Sequence, residues 1–110
     1  MKTEAEREAE IMKMLEDLFS ARKADLVKHR VLLFGSRARG NAKRQSDFDL
    51  AIDGDEPLAV KKFYEIEEAL DDLPTLYSFD WVDLAKANPR FREEAIKSAR
   101  VIYEGCSIRS

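Results

Sequence analysis

A short apolar run, Val31-Leu32-Leu33-Phe34, stops at Gly35-Ser36, and ten residues further on Asp47-Phe48-Asp49 opens a second run through Leu50-Ala51-Ile52. The first run is continuous and has the length of a buried strand. The second alternates, so Asp47 and Asp49 share one face while Phe48 and Leu50 anchor the other. It stops at the turn Asp53-Gly54-Asp55. These runs commit the chain to a sheet whose strands carry a glycine turn and a pair of carboxylates.

Helices account for most of the rest. Thr3-Glu4-Ala5-Glu6 fits a capping box, and Ile11, Met14, Leu15, Leu18 and Phe19 recur at helical spacing, predicting a first helix to about Lys28. Pro57 suits the first turn of a helix that carries Val60, Phe63, Tyr64, Ile66 and Leu70 and ends before Pro74. Tyr77 to Leu84 alternates as a third strand, with Phe79 and Trp81 on one face and Ser78, Asp80 and Val82 on the other. Asn88-Pro89 predicts the start of a last helix with Phe91, Ala95, Ile96 and Ala99 on its buried side, and Val101-Ile102-Tyr103 adds a fourth strand. There is no repeat, low-complexity tract or linker. The expected architecture is one α+β domain over residues 1–110, a short mixed sheet with helices packed against it.

Composition narrows the setting. Charged residues make up 37% and hydrophobic ones 45%, as in soluble globular proteins. No apolar run approaches the roughly 20 residues of a membrane helix, and the N-terminus lacks a signal peptide's apolar stretch, so the expected location is the cytoplasm, away from membranes. Cys106 stands alone, without a partner for a disulfide. A net charge of -3 gives the whole molecule no attraction to long nucleic acid. Yet Val31 to Ser46 contains Arg37, Arg39, Lys43 and Arg44 and no acidic residue. That local field favours a small phosphorylated ligand.

Two carboxylates on one strand face, about 7 Å apart along the chain, can approach one pair of cations. Ions in two-metal sites for displacement at phosphorus lie about 3.5–4 Å apart, a separation that shared carboxylates bridge. Magnesium is the natural ion, with manganese as a substitute, because it binds a few carboxylates plus substrate phosphates and water. A third carboxylate is needed to complete the catalytic metal site and help deprotonate an attacking hydroxyl. Asp83 shares its face with Phe79 and Trp81, whereas Asp80 lies on the other, so Asp80 is the candidate. It converges on Asp47 and Asp49 if the second and third strands pair. Gly35 and Ser36 follow a strand and present backbone N–H groups and a hydroxyl to phosphate. Arg37 or Arg39 is placed to neutralise the departing pyrophosphate. Asn41-Ala42 stands where a P-loop requires Lys and Ser or Thr, which argues against a P-loop ATPase.

In this order and spacing, Gly35-Ser36, Asp47-Phe48-Asp49 and a later Asp80 in an apolar strand resemble the minimal nucleotidyltransferases of the DNA polymerase beta superfamily. The resemblance covers nearly the whole chain and implies that superfamily's palm-like nucleotidyltransferase fold. It implies that Gly35, Ser36, Arg37 and Arg39 bind the nucleotide. Asp47 and Asp49 would bridge two magnesium ions and Asp80 would complete the catalytic metal site. The implied reaction is attack of a hydroxyl on the α-phosphorus of a nucleoside triphosphate, with ATP the expected donor. The implied partner is a helical protein of the HEPN type, the toxin of a toxin–antitoxin pair, whose tyrosine would accept AMP. A competing expectation is a non-catalytic nucleotide-binding module that neutralises such a partner by occlusion. Adenylylation of a small molecule is disfavoured, since no acceptor domain follows. A homo-oligomer and a complex with the helical partner both fit the sequence.

Overall fold

Local chemistry sets the start of the first helix in the computed structural model, which describes residues 2–39 and 47–105. Thr3 Oγ1 accepts from the Glu6 N–H at 3.1 Å and Glu6 Oε1 accepts from the Thr3 N–H at 3.3 Å, opening α1, Glu4–Ala21. Ile11, Leu15 and Phe19 form its buried stripe. The helix ends short of the Lys28 limit that periodicity predicts. The Arg22 N–H turns back to the Phe19 and Ser20 carbonyls, and a 3-10 turn, Lys23–Leu26, drops Leu26 into the core.

Four strands follow, β1 His29–Phe34, β2 Phe48–Gly54, β3 Phe79–Asp83 and β4 Arg100–Glu104, in the spatial order β3-β2-β1-β4. β1 runs antiparallel to both β2 and β4, whereas β2 and β3 are parallel. A parallel pair needs a crossover, and α3, Val60–Asp71, supplies it. One face of the sheet, with Val31, Leu33, Phe48, Leu50, Ile52 and Trp81, packs in one core with Ile11, Leu15, Phe19, Ile66 and Leu70. On the opposite face Leu32, Ala51 and Leu84 meet Ala95 of α4, Pro89–Ser98. The alternation predicted for β2 and β3 therefore divides two cores. Trp81 belongs to the first, stacked between Phe19 at 5.7 Å and Phe63 at 5.5 Å, with its Nε1–H donating to the Phe63 carbonyl at 3.1 Å.

Two further helices differ from expectation. α3 begins at Val60 rather than at Pro57, because the preceding Leu58 is buried and its N–H is held at 2.8 Å by the Asp83 carboxylate. α4 begins as predicted, with Asn88 Oδ1 accepting from the Arg90 N–H at 2.8 Å and Pro89 in the first turn. Its buried side is Ala95, with the partly buried Ile96 and Ala99 packed against the same core, whereas Phe91 stands 43% exposed. Among the described residues, no helix is long and apolar enough to cross a membrane.

Candidate active site

Asp49 of β2 and Asp80 of β3 are paired residues in the parallel ladder. Hydrogen-bonded strands lie about 4.8 Å apart, so paired residues place their side chains abreast on one face. Two positions further along, Ala51 and Val82 pair on that same face and pack with the α4-side core. Asp47 lies one residue before β2 and is exposed. Thus the register brings Asp49 and Asp80 together, whereas Asp47 lines a cavity of about 730 Å³ with Arg7, Glu10 and Met14 of α1 and with Tyr77.

The glycine turn closes against this pair. β1 ends at Phe34, which pairs with Asp49 across the antiparallel ladder. Gly35 then adopts φ +73°, a left-handed conformation that glycine accepts and L side chains resist, and opens α2, Gly35–Arg39. A Cβ at Gly35 would overlap the Asp49 carboxylate. Both the backbone angle and the close approach therefore call for glycine here. The side chains of Ser36 and Arg39 lie outside the described parts of the structure, as do Lys43 and Arg44.

Arg37 differs from the phosphate contact expected of it. Its side chain is 2% exposed, and its Nη1 lies 3.2 Å from Glu8 and 3.9 Å from Glu4, both on α1. The guanidinium sits over the rings of Phe48, at 4.5 Å, and Tyr77, at 5.1 Å. Phe48 faces the α1 core, opposite Asp49, so Arg37 ties α2 to α1 on the far side of the sheet. The Tyr77 hydroxyl donates to Glu4 at 2.8 Å, and that bond, with burial and the carboxylate's charge, raises its pKa above the ordinary phenol value. The signal for this network was present in Glu4 and Glu8, one helical turn apart on α1.

The other acidic residues near the sheet have structural partners. Asp83 is buried and accepts from the Leu58 N–H at 2.8 Å and the Ala85 N–H at 3.0 Å. Asp53, also buried, accepts from Arg30 at 2.9 Å and from Arg92 of α4 at 3.3 Å. Among the described residues, no group of three acidic, histidine or cysteine side chains is gathered to hold a metal ion alone. Two carboxylates abreast instead fit a magnesium site that substrate phosphates and water complete.

A glycine turn shut against one of two abreast carboxylates, on a mixed sheet with helices on both faces, is the framework of a phosphoryl-transfer domain. The chain belongs to the polymerase beta nucleotidyltransferase family, whose model matches residues 21–106. It is 39% identical over 74 residues to the probable protein adenylyltransferase MntA of Haemophilus influenzae, a match covering 67% of this chain and 65% of that relative. The match thus spans a little under two thirds of the relative's length. A solved structure of a putative minimal nucleotidyltransferase superposes with a TM-score of 0.60 at 30% identity, covering 83% of this chain and 92% of that one. The fold recurs in a toxin–antitoxin complex. A complex of a tri-AMPylated Shewanella oneidensis HEPN toxin with its MNT antitoxin matches with a TM-score of 0.55 at 19% identity, over 84% of this chain and 72% of that chain.

Proposed function

We propose that this chain is a metal-dependent nucleotidyltransferase that moves AMP from ATP to a tyrosine hydroxyl of a HEPN-type toxin and thereby acts as its antitoxin. The observation that carries this reading is the register that sets Asp49 beside Asp80 while Gly35 closes on Asp49. The protein adenylyltransferase relative and the AMPylated toxin in complex with an MNT antitoxin support the donor and the acceptor class. A net charge of -3 agrees with a protein acceptor rather than long nucleic acid, and the setting is cytoplasmic.

In this reading Asp47, Asp49 and Asp80 hold magnesium, which when bound offsets the triphosphate's charge and lowers the pKa of the acceptor hydroxyl. Backbone N–H groups at Gly35-Ser36 grip a phosphate. Asp80, exposed on β3, takes the hydroxyl proton as the hydroxyl oxygen bonds to the α-phosphorus. The bond from that phosphorus to the bridging oxygen breaks, and pyrophosphate leaves with the electron pair. With Arg37 committed to the α1 carboxylates, Arg39 takes the role of neutralising the pyrophosphate.

The test is incubation with α-labelled ATP and magnesium, with and without the co-encoded HEPN-type toxin, read by gel and mass spectrometry. Label on a toxin tyrosine, absent with Asp47→Asn, is the expected result. Protection from the toxin by Asp47→Asn, without label, would instead establish neutralisation by occlusion.

A further inference from the structure

Among the described residues β3 is an edge strand, flanked by β2 on one side only. The Phe48 N–H bonds to the Ser78 carbonyl at 3.0 Å. The two-residue period of the parallel ladder therefore turns the backbone groups of Phe79, Trp81 and Asp83 away from β2. A groove of about 400 Å³ follows this open side, walled by Val60, Phe63 and Tyr64 of α3, by Trp81 and Val82 of β3, and by Phe91 of α4. Trp81 and Val82 belong to opposite faces of the sheet, so a groove touching both wraps the strand's free edge.

Its walls are unusually apolar for an exposed surface. Val60 is 56% exposed, Tyr64 58% and Phe91 43%, and these are most of the large exposed hydrophobics among the described residues. The groove also leads to the reacting groups. Val82 lies two positions beyond Asp80 on the same face, about 7 Å along the strand. Phe91 packs edge-on against Phe34 at 5.8 Å, and Phe34 pairs with Asp49. The Asp83 carboxylate on the same wall is buried and turned to the Leu58 and Ala85 N–H groups, whereas the exposed Lys86 has no ion pair among the described residues. The wall is thus apolar with an unmatched positive charge. It asks for an apolar segment carrying a carboxylate.

We propose that this groove docks an extended segment of the protein acceptor, an aromatic or aliphatic side chain seated between Tyr64 and Phe91 and an acidic residue beside Lys86. The segment's backbone adds to the free edge of β3, as in other strand-addition complexes. Lying along β3, it delivers a hydroxyl to Asp80 near the start of the strand. The inference rests on the transferase reading for what the hydroxyl receives, but docking itself is independent of catalysis.

The test titrates fluorescently labelled HEPN-type toxin into the full chain without nucleotide, for wild type, Val60→Asp, Tyr64→Asp, Tyr64→Ala and Lys86→Glu. All substitutions are at exposed positions, and melting curves check that each variant is folded. The groove variants are expected to weaken toxin binding by about tenfold or more. With labelled ATP they should raise the KM for toxin by the same factor, leaving kcat and transfer to N-acetyltyrosine amide unchanged. Unaltered toxin affinity in folded variants, or equal loss with both acceptors, overturns the docking groove. If wild type transfers no label but the groove variants still lose toxin affinity, the groove stands and the transferase reading fails. If label transfer proceeds and toxin KM is unmoved, the transferase reading stands and the groove fails.

Discussion

At Gly35 two independent constraints meet, a left-handed φ of +73° and the Asp49 carboxylate in the space a Cβ would occupy. Gly35→Ala should therefore cost about 1–2 kcal/mol of stability from the backbone alone and push Asp49 out of register with Asp80. The expected readout is a lowered urea midpoint together with transfer reduced on the order of a hundredfold or more, the scale of a misplaced catalytic group. Asp80 and Asp83 give a sharper contrast, three positions apart on one strand. Asp80→Asn, at an exposed site, should leave the urea midpoint unchanged and reduce kcat by about 10²–10⁴-fold. Asp83→Asn should do the reverse, weakening the bonds to the Leu58 and Ala85 N–H groups and destabilising by about 1–3 kcal/mol with kcat retained. Their placement on opposite faces was readable in the sequence, because strand alternation puts Asp83 with Trp81 and Asp80 with Val82. What alternation alone did not contain was the pairing partner, since register depends on which strand lies alongside. Arg37 was ambiguous for a different reason: a basic residue beside a glycine turn looks the same whether it faces phosphate or a pair of glutamates, and Glu8 lies 29 residues away on α1.

At the level of elements, α2 is only five residues long and owes its position to its neighbours. Arg37 is its main anchor, clamped by Glu4 and Glu8 and by the faces of Phe48 and Tyr77. Arg37→Met keeps the aliphatic stem but removes the charge. The glutamates stay partly solvated, so no charge is left stranded, and the loss should be about 1–3 kcal/mol, mainly desolvated cation–π and ion-pair contacts. Chemical denaturation measures that loss. If Arg37 acts only as an anchor, ATP affinity measured by calorimetry will fall little, whereas Arg39→Ala will weaken it without loss of stability. The same network makes a pH prediction. The folded protein holds the Tyr77 proton more tightly than the unfolded chain, so its contribution is complete below the ordinary phenol pKa and declines as pH rises through the raised value. Tyr77→Phe should remove that alkaline component of the pH–stability curve. Helix interiors were legible from their apolar period, and two starts from their caps, Thr3 and Asn88. The start of α3 was not, because its delay to Val60 is imposed by a carboxylate, Asp83, that lies far along the chain and closes on the Leu58 N–H.

Across the whole molecule, the mixed sheet brings residues from β1, β2 and β3 to one end, and that convergence governs how ligand and fold are coupled. On the proposed reading, cations and phosphates join Asp47 to the paired Asp49 and Asp80, residues that come from two strands and a strand entry. Nothing comparable forms in the unfolded chain, where the same residues are far apart. Magnesium and ATP together should therefore bind the folded state alone and stabilise it by RT ln(1 + [L]/Kd), about 2.7 kcal/mol at a ligand concentration near 100 Kd. For a domain of this size that corresponds to a rise in melting temperature of roughly 8–12 °C. Magnesium alone should give a smaller rise, because phosphates complete its shell, and manganese should replace it. Asp49→Asn should abolish the nucleotide-dependent part, whereas Tyr64→Asp, on the groove along β3, should retain it in full. Differential scanning fluorimetry across these conditions and variants separates the two surfaces. A melting temperature that ignores magnesium and ATP in wild type would remove the metal–nucleotide site from this end of the sheet, whatever the groove does. A shift lost equally in Asp49→Asn and Tyr64→Asp would mean that groove and carboxylates form one nucleotide pocket rather than a donor site and an acceptor site.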